Sequence, residues 1–455
     1  MTGSIALLLE GAFVLTLDDA GTAGELSVAV RDGTIADVGE RDRLRTRFGE
    51  AQRIDCTGSI LMPGLVNAHL HPEVHVLKGI VEDVDLHGWA HAERLERALT
   101  LLGTDELRWI QRAGVRAALA DCLLSGTTCV ATYGVTAGAD EVAAAELSAF
   151  GLRGHVTIRD TAFAPATDAD GMPVIPAHRL EPPRMYRLHA EEALTEDELI
   201  AAAGAHARGE RIVMHAAETR YRIRLAQSRF GSTTLRLLDR HDLLSAATLL
   251  SHAVHLDEWE LTLLERSGAA VIASPAAEMK LSDGIAPVTD YIERGVTVAL
   301  GTDSALCNNS NDMLLECRQL GFAQKLAQGA DVLPAERILR CATRGGALAL
   351  GEADRYGAIA PGLSADLILV DTLNPRLQPL VHGEQFSNVA ANLVYAATGQ
   401  DVRDVMVAGR WLVRDGRLLS AEPDRIWQAL AEAALTLHAK IDGSPQPARM
   451  ETEES

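Results

Sequence analysis

Lysine is nearly absent from this chain of 455 residues, occurring only at Lys78, Lys280, Lys325 and Lys440 within a net charge of −21. No basic stripe can form to follow a phosphate backbone, which disfavours nucleic-acid partners. Cysteine is sparse too: Cys56, Cys122, Cys129, Cys307, Cys317 and Cys341 include no CxxC pair, and several lie in apolar segments as small core residues. Structural disulfides are therefore not expected, in keeping with a reducing compartment. Long hydrophobic runs are missing as well, since none approaches the roughly 20 residues that span a bilayer. The N-terminus shows no charged segment followed by an uninterrupted apolar stretch and a cleavage site. The expectation is a soluble, cytoplasmic protein with no membrane partner.

What is present suits a barrel of roughly 250 to 300 residues and a smaller module. The opening segments "SIALLLEGAFVLTLD" and "ELSVAVRDGTIADVGE" alternate as strands do, with Asp32-Gly33 fit for a tight hairpin turn. A matching set returns at 365–372 and 402–419, with turns at Gly409 and Asp415-Gly416. One sandwich built from both chain ends is predicted. Between the ends, strands alternate with helical stretches, the pattern of a parallel α/β fold. Eight strands are expected to begin near Leu61, Thr127, His155, Met185, Ile212, Thr248, Ala270 and Thr297, with helices over 105–125, 196–207, 222–239 and 256–266. The stretch 164–184 is rich in Pro, Gly and Asp and reads as a loop or broken helix. The Gly-rich "TRGGALALG" (343–351) lacks the lysine of a phosphate-binding loop and reads as a helix with small-residue packing. The resulting expectation is a (β/α)8 TIM barrel over 60–358, a β-sandwich domain formed by 1–59 and 359–422, and a C-terminal helix (424–441) with a disordered tail in 423–455.

Chemistry concentrates at the ends of the apolar strands. In "LMPGLVNAHLH" (61–71) His69 and His71 stand at i and i+2, so both imidazoles leave one side of a strand. Such a pair alone proves little. "RIVMHAAE" (211–218), "TLLSHAVHL" (248–256) and "TVALGTDSA" (297–305) repeat the same grammar, an apolar strand ending in His215, His252 or Asp303 as the polar loop begins. In a barrel of this class the C-terminal strand ends form the active site. Imidazole nitrogens and a carboxylate gathered there point to a catalytic metal centre, which keeps one position open for a water whose pKa falls to near 7. Glu218, three residues beyond His215, has the chemistry to exchange protons during hydrolysis.

The ordered motifs "PGLVNAHLH", "SGTTCVATY", "HAAE", "SHAVHLDEWE", "MKLSDGIAPV", "GTDSALCNNSNDM" and "GAIAPGLSADLILVD" span nearly the whole chain. By them it resembles the amidohydrolase superfamily, in the branch of chlorotriazine hydrolases, guanine deaminase and S-adenosylhomocysteine deaminase. The resemblance implies metal ligation by His69, His71, His215 and Asp303. It gives His252 and Asp303 the task of orienting and deprotonating the water, Glu218 that of proton shuttle, and His189 a contact to substrate. Some relatives bridge two metals with a carboxylated lysine on strand four; strands three and four here hold no lysine, so one divalent metal per chain is expected, zinc ahead of iron. The implied activity is hydrolytic deamination of a heteroaromatic amine with metal-bound hydroxide as nucleophile. Hydrolysis of another C–N or C–Cl bond in such a ring is the alternative, and a catalytically inactive scaffold is disfavoured by the complete ligand set. Relatives also imply a homodimer or homotetramer.

Other residues carry weaker readings. His75, His87 and His91 follow strand one and are as well explained by surface or packing roles, and His255 reads as structural. Lys280 and Asn308 or Asn309 fall on the loops after strands seven and eight, positions suited to substrate or partner-loop contacts. Two departures from the family pattern stand out. Gly88, in "DLHGWAH", replaces the glutamate that binds ribose hydroxyls in nucleoside-acting relatives, so a non-nucleoside ring is the expected preference. The usual asparagine-rich strand-seven motif is altered to "ASPAAEMKL", which changes polar groups near the pocket.

Overall fold

The computed structural model describes residues 6–158, 183–383 and 385–443. Most of the stretch predicted as a loop (164–184) and of the predicted disordered tail lies outside the described residues.

Eight short runs, most of their residues buried, form parallel strands. They are Leu65–His71, Thr127–Thr132, Arg153–Ile158, Arg184–Arg187, Arg211–Ala216, Thr248–His252, Ala270–Ala273 and Val298–Leu300, each paired with the next. The ring closes because the eighth strand resumes at Asp303–Ser304 and pairs there with Leu70 and His71 of the first. Closure brings Asp303 beside the His69/His71 pair. Asn67 secures it from the first strand, its amide donating to Thr302 Oγ1 (2.7 Å) and its carbonyl oxygen accepting the Thr302 N–H (3.1 Å).

The two chain ends build a sandwich. A four-stranded sheet comes wholly from the N-terminal segment, and a seven-stranded sheet joins both ends where Ser59–Pro63 pairs antiparallel with Leu367–Asp371. Leu9, Val14, Val28, Ile35, Leu61, Leu367 and Met406 fill the space between them. The expected hairpins form at Asp32-Gly33 and Asp415-Gly416, where both residues of each turn take positive φ. Arg153, at the start of the third barrel strand, makes a buried two-pronged ion pair with Asp366 (2.7 and 3.2 Å), tying the sandwich to the base of the barrel, away from the strand ends that carry the histidines.

Two expectations need refinement. The run predicted as one strand near Leu61 is two, with Ser59–Pro63 in the sandwich and Leu65–His71 in the barrel. The predicted helix 222–239 is also two, Arg220–Phe230 and Thr234–Arg240, because Gly231 takes the left-handed conformation that ends the first. The Gly-rich segment is helical as expected: a π-type turn over Cys341–Gly345 leads into Gly346–Ala349. Its glycines pack so closely that a Cβ on Gly345 would lie 2.2 Å from the Val298 carbonyl oxygen. The C-terminal helix Pro423–Asp442 lays Ala433, Leu437 and Ile441 against Leu95, Leu102 and Ile110. Among the described residues no helix is long and apolar enough to cross a membrane.

Candidate metal centre

Four imidazoles and one carboxylate converge at the C-terminal mouth. Ring centroids of His69 lie 4.7 Å from His71, 4.7 Å from His215 and 5.7 Å from His252. Asp303 completes the ring of donors, with Oδ1 at 3.1 Å from His71 Nε2 and 3.9 Å from His69 Nε2, and Oδ2 at 3.8 Å from His252 Nε2. Two overlapping triads, His69/His71/Asp303 and His69/His215/His252, each have donor atoms within 4.8 Å of one another.

The donor chemistry fits a divalent cation. Among the described residues nothing satisfies the buried Nε2 atoms of His69, His215 and His252, although a buried polar atom ordinarily finds a partner. In two of the four rings the opposite nitrogen is held: His71 Nδ1–H donates to the Tyr133 carbonyl (2.5 Å) and His69 Nδ1 meets Ser251 Oγ (3.2 Å), which turns their Nε2 atoms inward. Burial keeps His69 and His215 well below their ordinary pKa, hence neutral and able to ligate. Burial alone would raise Asp303, yet the hydrogen bond from His71 and the surrounding imidazoles hold it well below the usual carboxylate range.

Glu218 is buried beside this cluster, with Oε1 3.7 Å from His252 Nε2 and Oε2 3.9 Å from His215 Nδ1. A residue that the motifs did not single out steadies it: Arg222, one helical turn on, pairs with Glu218 and reaches Glu192 through Nε (2.6 Å). The spacing i, i+4 in "ETRYR" was the available signal. Glu278 is a second such residue. Its Oε1 lies 3.4 Å from His252 Nδ1, an ion-pair contact rather than a hydrogen bond, and accepts the Ser274 N–H at 2.8 Å. Burial would lower His252, but Glu218, Glu278 and Asp303 together push it up to about 10.

The remaining sequence candidates sort by position. His189 extends beyond strand four with its backbone N–H and ring Nδ1 both on Glu198 (2.9 Å each). Among the described residues no hydrogen bond, ion pair or ring contact links it to the metal cluster. His75 is buried against Asn311 (3.2 Å), and His255 Nε2–H donates to the Asp283 carbonyl (2.7 Å). Lys280 pairs with Glu82 (2.7 Å) and bonds Asn309, joining the loops after strands one, seven and eight. Asn308 instead donates to the Thr302 carbonyl (2.8 Å) and to Glu316 (2.7 Å).

A closed (β/α)8 barrel whose strand ends supply histidines, an aspartate and a separate buried glutamate belongs to the metal-dependent hydrolases. Within that class the chain belongs to the amidohydrolase family, whose pattern matches residues 60–412. It is 31% identical over 454 residues to 5-methylthioadenosine/S-adenosylhomocysteine deaminase of Desulforamulus reducens, covering 95% of this chain and 99% of that one. Among solved structures it resembles an adenosine deaminase of Xanthomonas campestris with bound zinc (28% identity, TM-score 0.84, 96% of this chain and 99% of that one). It shares its fold with the zinc-complexed atrazine chlorohydrolase of Arthrobacter aurescens (23% identity, TM-score 0.81, 94% and 100% covered). The family and these relatives identify the chain as a hydrolase of carbon–nitrogen bonds.

Proposed function

We propose that the protein deaminates a heteroaromatic amine, converting a ring C–NH2 and water into a ring carbonyl and ammonia. One divalent ion, zinc in preference to iron, would be held by His69, His71, His215 and Asp303. When bound, the ion supplies Lewis acidity that lowers the pKa of a water to near 7. The observation that carries the reading is the placement of Glu218, close to His215 and His252 yet bonded to Arg222 rather than drawn into the donor cluster. From there it can pass a proton to the ring nitrogen beside the attacked carbon. His252 stands within 4 Å of both Glu218 and Asp303, so it can orient the attacking water while Asp303 accepts its proton. The departing amine then takes a proton and leaves as ammonia, which balances the reaction.

His189 is proposed to touch the substrate ring, its imidazole pre-oriented by Glu198. Relatives named for adenosine derivatives make an aminopurine the first candidate. Gly88 offers no side-chain acceptor for a ribose diol, and this favours the free base. Metal analysis with an ammonia-release screen over purines, pterins, triazines and pyrimidines tests the reading. Ammonia release that tracks metal content supports it; metal-loaded protein that releases none from any of these rings overturns it.

A further inference from the structure

We propose that Asp283 is a specificity-determining residue whose carboxyl hydrogen-bonds the edge of the substrate ring that flanks the departing amine. The proposal rests on the deaminase reading and extends it to the kind of ring selected.

Asp283 lies in the turn after helix Pro275–Lys280 and is 5% exposed, yet neither carboxyl oxygen has a partner among the described residues. Other buried acids around the mouth are bonded. Glu191 accepts from the Ala217 N–H (2.8 Å) and Thr234 (2.6 Å), Glu316 from the Ala276 N–H (3.2 Å) and Asn308 (2.7 Å), and Glu278 from the Ser274 N–H (2.8 Å). An acid left unpartnered at such depth is a persistent cost, so its retention points to a partner that arrives from outside.

Its surroundings say where that partner sits. After burial, the strongest influence on the Asp283 carboxyl is the charge of Glu218, followed by His252 and Arg222, so it lies within electrostatic reach of the proposed proton shuttle. Glu218 is occupied by Arg222 and makes no hydrogen bond to Asp283. The backbone that presents Asp283 is clamped from both sides. Its N–H donates to the Glu278 carbonyl (2.8 Å), its own carbonyl accepts from His255 Nε2 (2.7 Å), and a Cβ on the adjoining Gly284 would stand 2.9 Å from Val254 Cγ1. The carboxyl is thus held in place rather than carried on a loose loop.

The chemistry of the partner follows. Burial and the Glu218 charge both push this carboxyl up and favour its neutral form. A neutral acid carries one O–H donor beside a carbonyl acceptor. Its complement is a ring nitrogen next to an N–H, the amidine-type edge common to aminopurines, aminopyrimidines and aminotriazines.

The experiment compares wild type with Asp283→Ala and Asp283→Asn, all metal-loaded, on the ring that wild type deaminates fastest. Asparagine keeps one donor and one acceptor; alanine keeps neither. Asp283→Ala is expected to lose about tenfold or more in kcat/KM, about 1.4 kcal/mol, chiefly through KM, while Asp283→Asn stays within about threefold and metal content is unchanged. Thermal stability without substrate gives an independent readout, because removing an unpartnered buried acid should raise Tm in Asp283→Ala. Retention of kcat/KM by Asp283→Ala within about twofold, or a lower Tm in Asp283→Ala, overturns the proposal. Wild-type ammonia release decides the deaminase reading separately, and the Tm comparison judges Asp283 whatever that screen returns.

Discussion

Replacing Gly301 with alanine probes whether barrel closure holds the centre in shape. Gly301 lies between the two halves of the eighth strand, and its N–H donates to the Ala273 carbonyl (3.0 Å). A Cβ there would stand 2.5 Å from His69 Cβ, 2.8 Å from His69 N and 2.9 Å from His69 O. Non-bonded carbons prefer about 3.5–4.0 Å, so the strands must part by about 1 Å or more. All three obstructing atoms are backbone or Cβ of His69, and no rotamer change relieves the overlap. Overpacking of this kind costs about 1–3 kcal/mol. A displacement of about 1 Å at a catalytic group costs on the order of 10²-fold in rate. Gly301→Ala is therefore expected to lower Tm, weaken metal retention during dialysis and cut kcat by about that factor. Gly204→Ala is the control. It sits within helix Glu196–Ala207, where an added Cβ meets only the tip of Arg208 at 3.7 Å, and it should gain up to about 1 kcal/mol from helix propensity. If Gly301→Ala held stoichiometric metal with unchanged Tm and kcat, the close approach of strands one and eight would not govern the centre.

Ligation and proton transfer should separate by mutation. His69→Ala and Asp303→Ala lose bound metal by elemental analysis, whereas Glu218→Gln keeps it and loses on the order of 10² to 10⁴ in turnover. Normal turnover by Glu218→Gln would remove that residue from the reaction. A pH dependence follows from Glu316, which burial raises from an ordinary 4.5 to about 8. The folded state then binds this proton more tightly than the unfolded state, so its contribution is full below about 4.5 and lost as pH rises through about 8. Denaturant midpoints measured between those limits should fall less steeply for Glu316→Gln than for wild type; parallel slopes would contradict the assignment. Finally, matched base and nucleoside pairs test the consequence of Gly88. A nucleoside preferred by about tenfold or more in kcat/KM would show that another residue receives the ribose hydroxyls.

Much of the fold was legible because parallel barrel strands are buried on both faces and leave apolar runs. Strands two to eight begin within two residues of their expected starts. The first strand was harder to read, because the apolar stretch around Gly64 serves two sheets with no polar break between them. Likewise the single helix expected over 222–239 runs through "FGSTT", where Gly231 ends one helix and Thr233 opens the next.

Within the site, legibility followed the narrowness of the chemistry. A catalytic cation accepts few donor types, so histidines and an aspartate at strand ends announce themselves. The groups that aim those donors are chemically degenerate. The acceptor for His71 Nδ1–H is the main-chain carbonyl of Tyr133, an atom every residue possesses, and the partner of His69 Nδ1 is Ser251, immediately before His252. Neither pairing follows from residue type alone, since each depends on register. That register is irregular here, because the pairing of strand one with strand two shifts between Asn67 and Leu70, beside His69 and His71. Glu278 and Asp283 fall between these cases. Glu278 lies in the altered strand-seven motif and Asp283 in "MKLSDGIAPV", but only the folded turn distinguishes the acid behind His252, already bonded to the Ser274 N–H, from the acid that still lacks a partner.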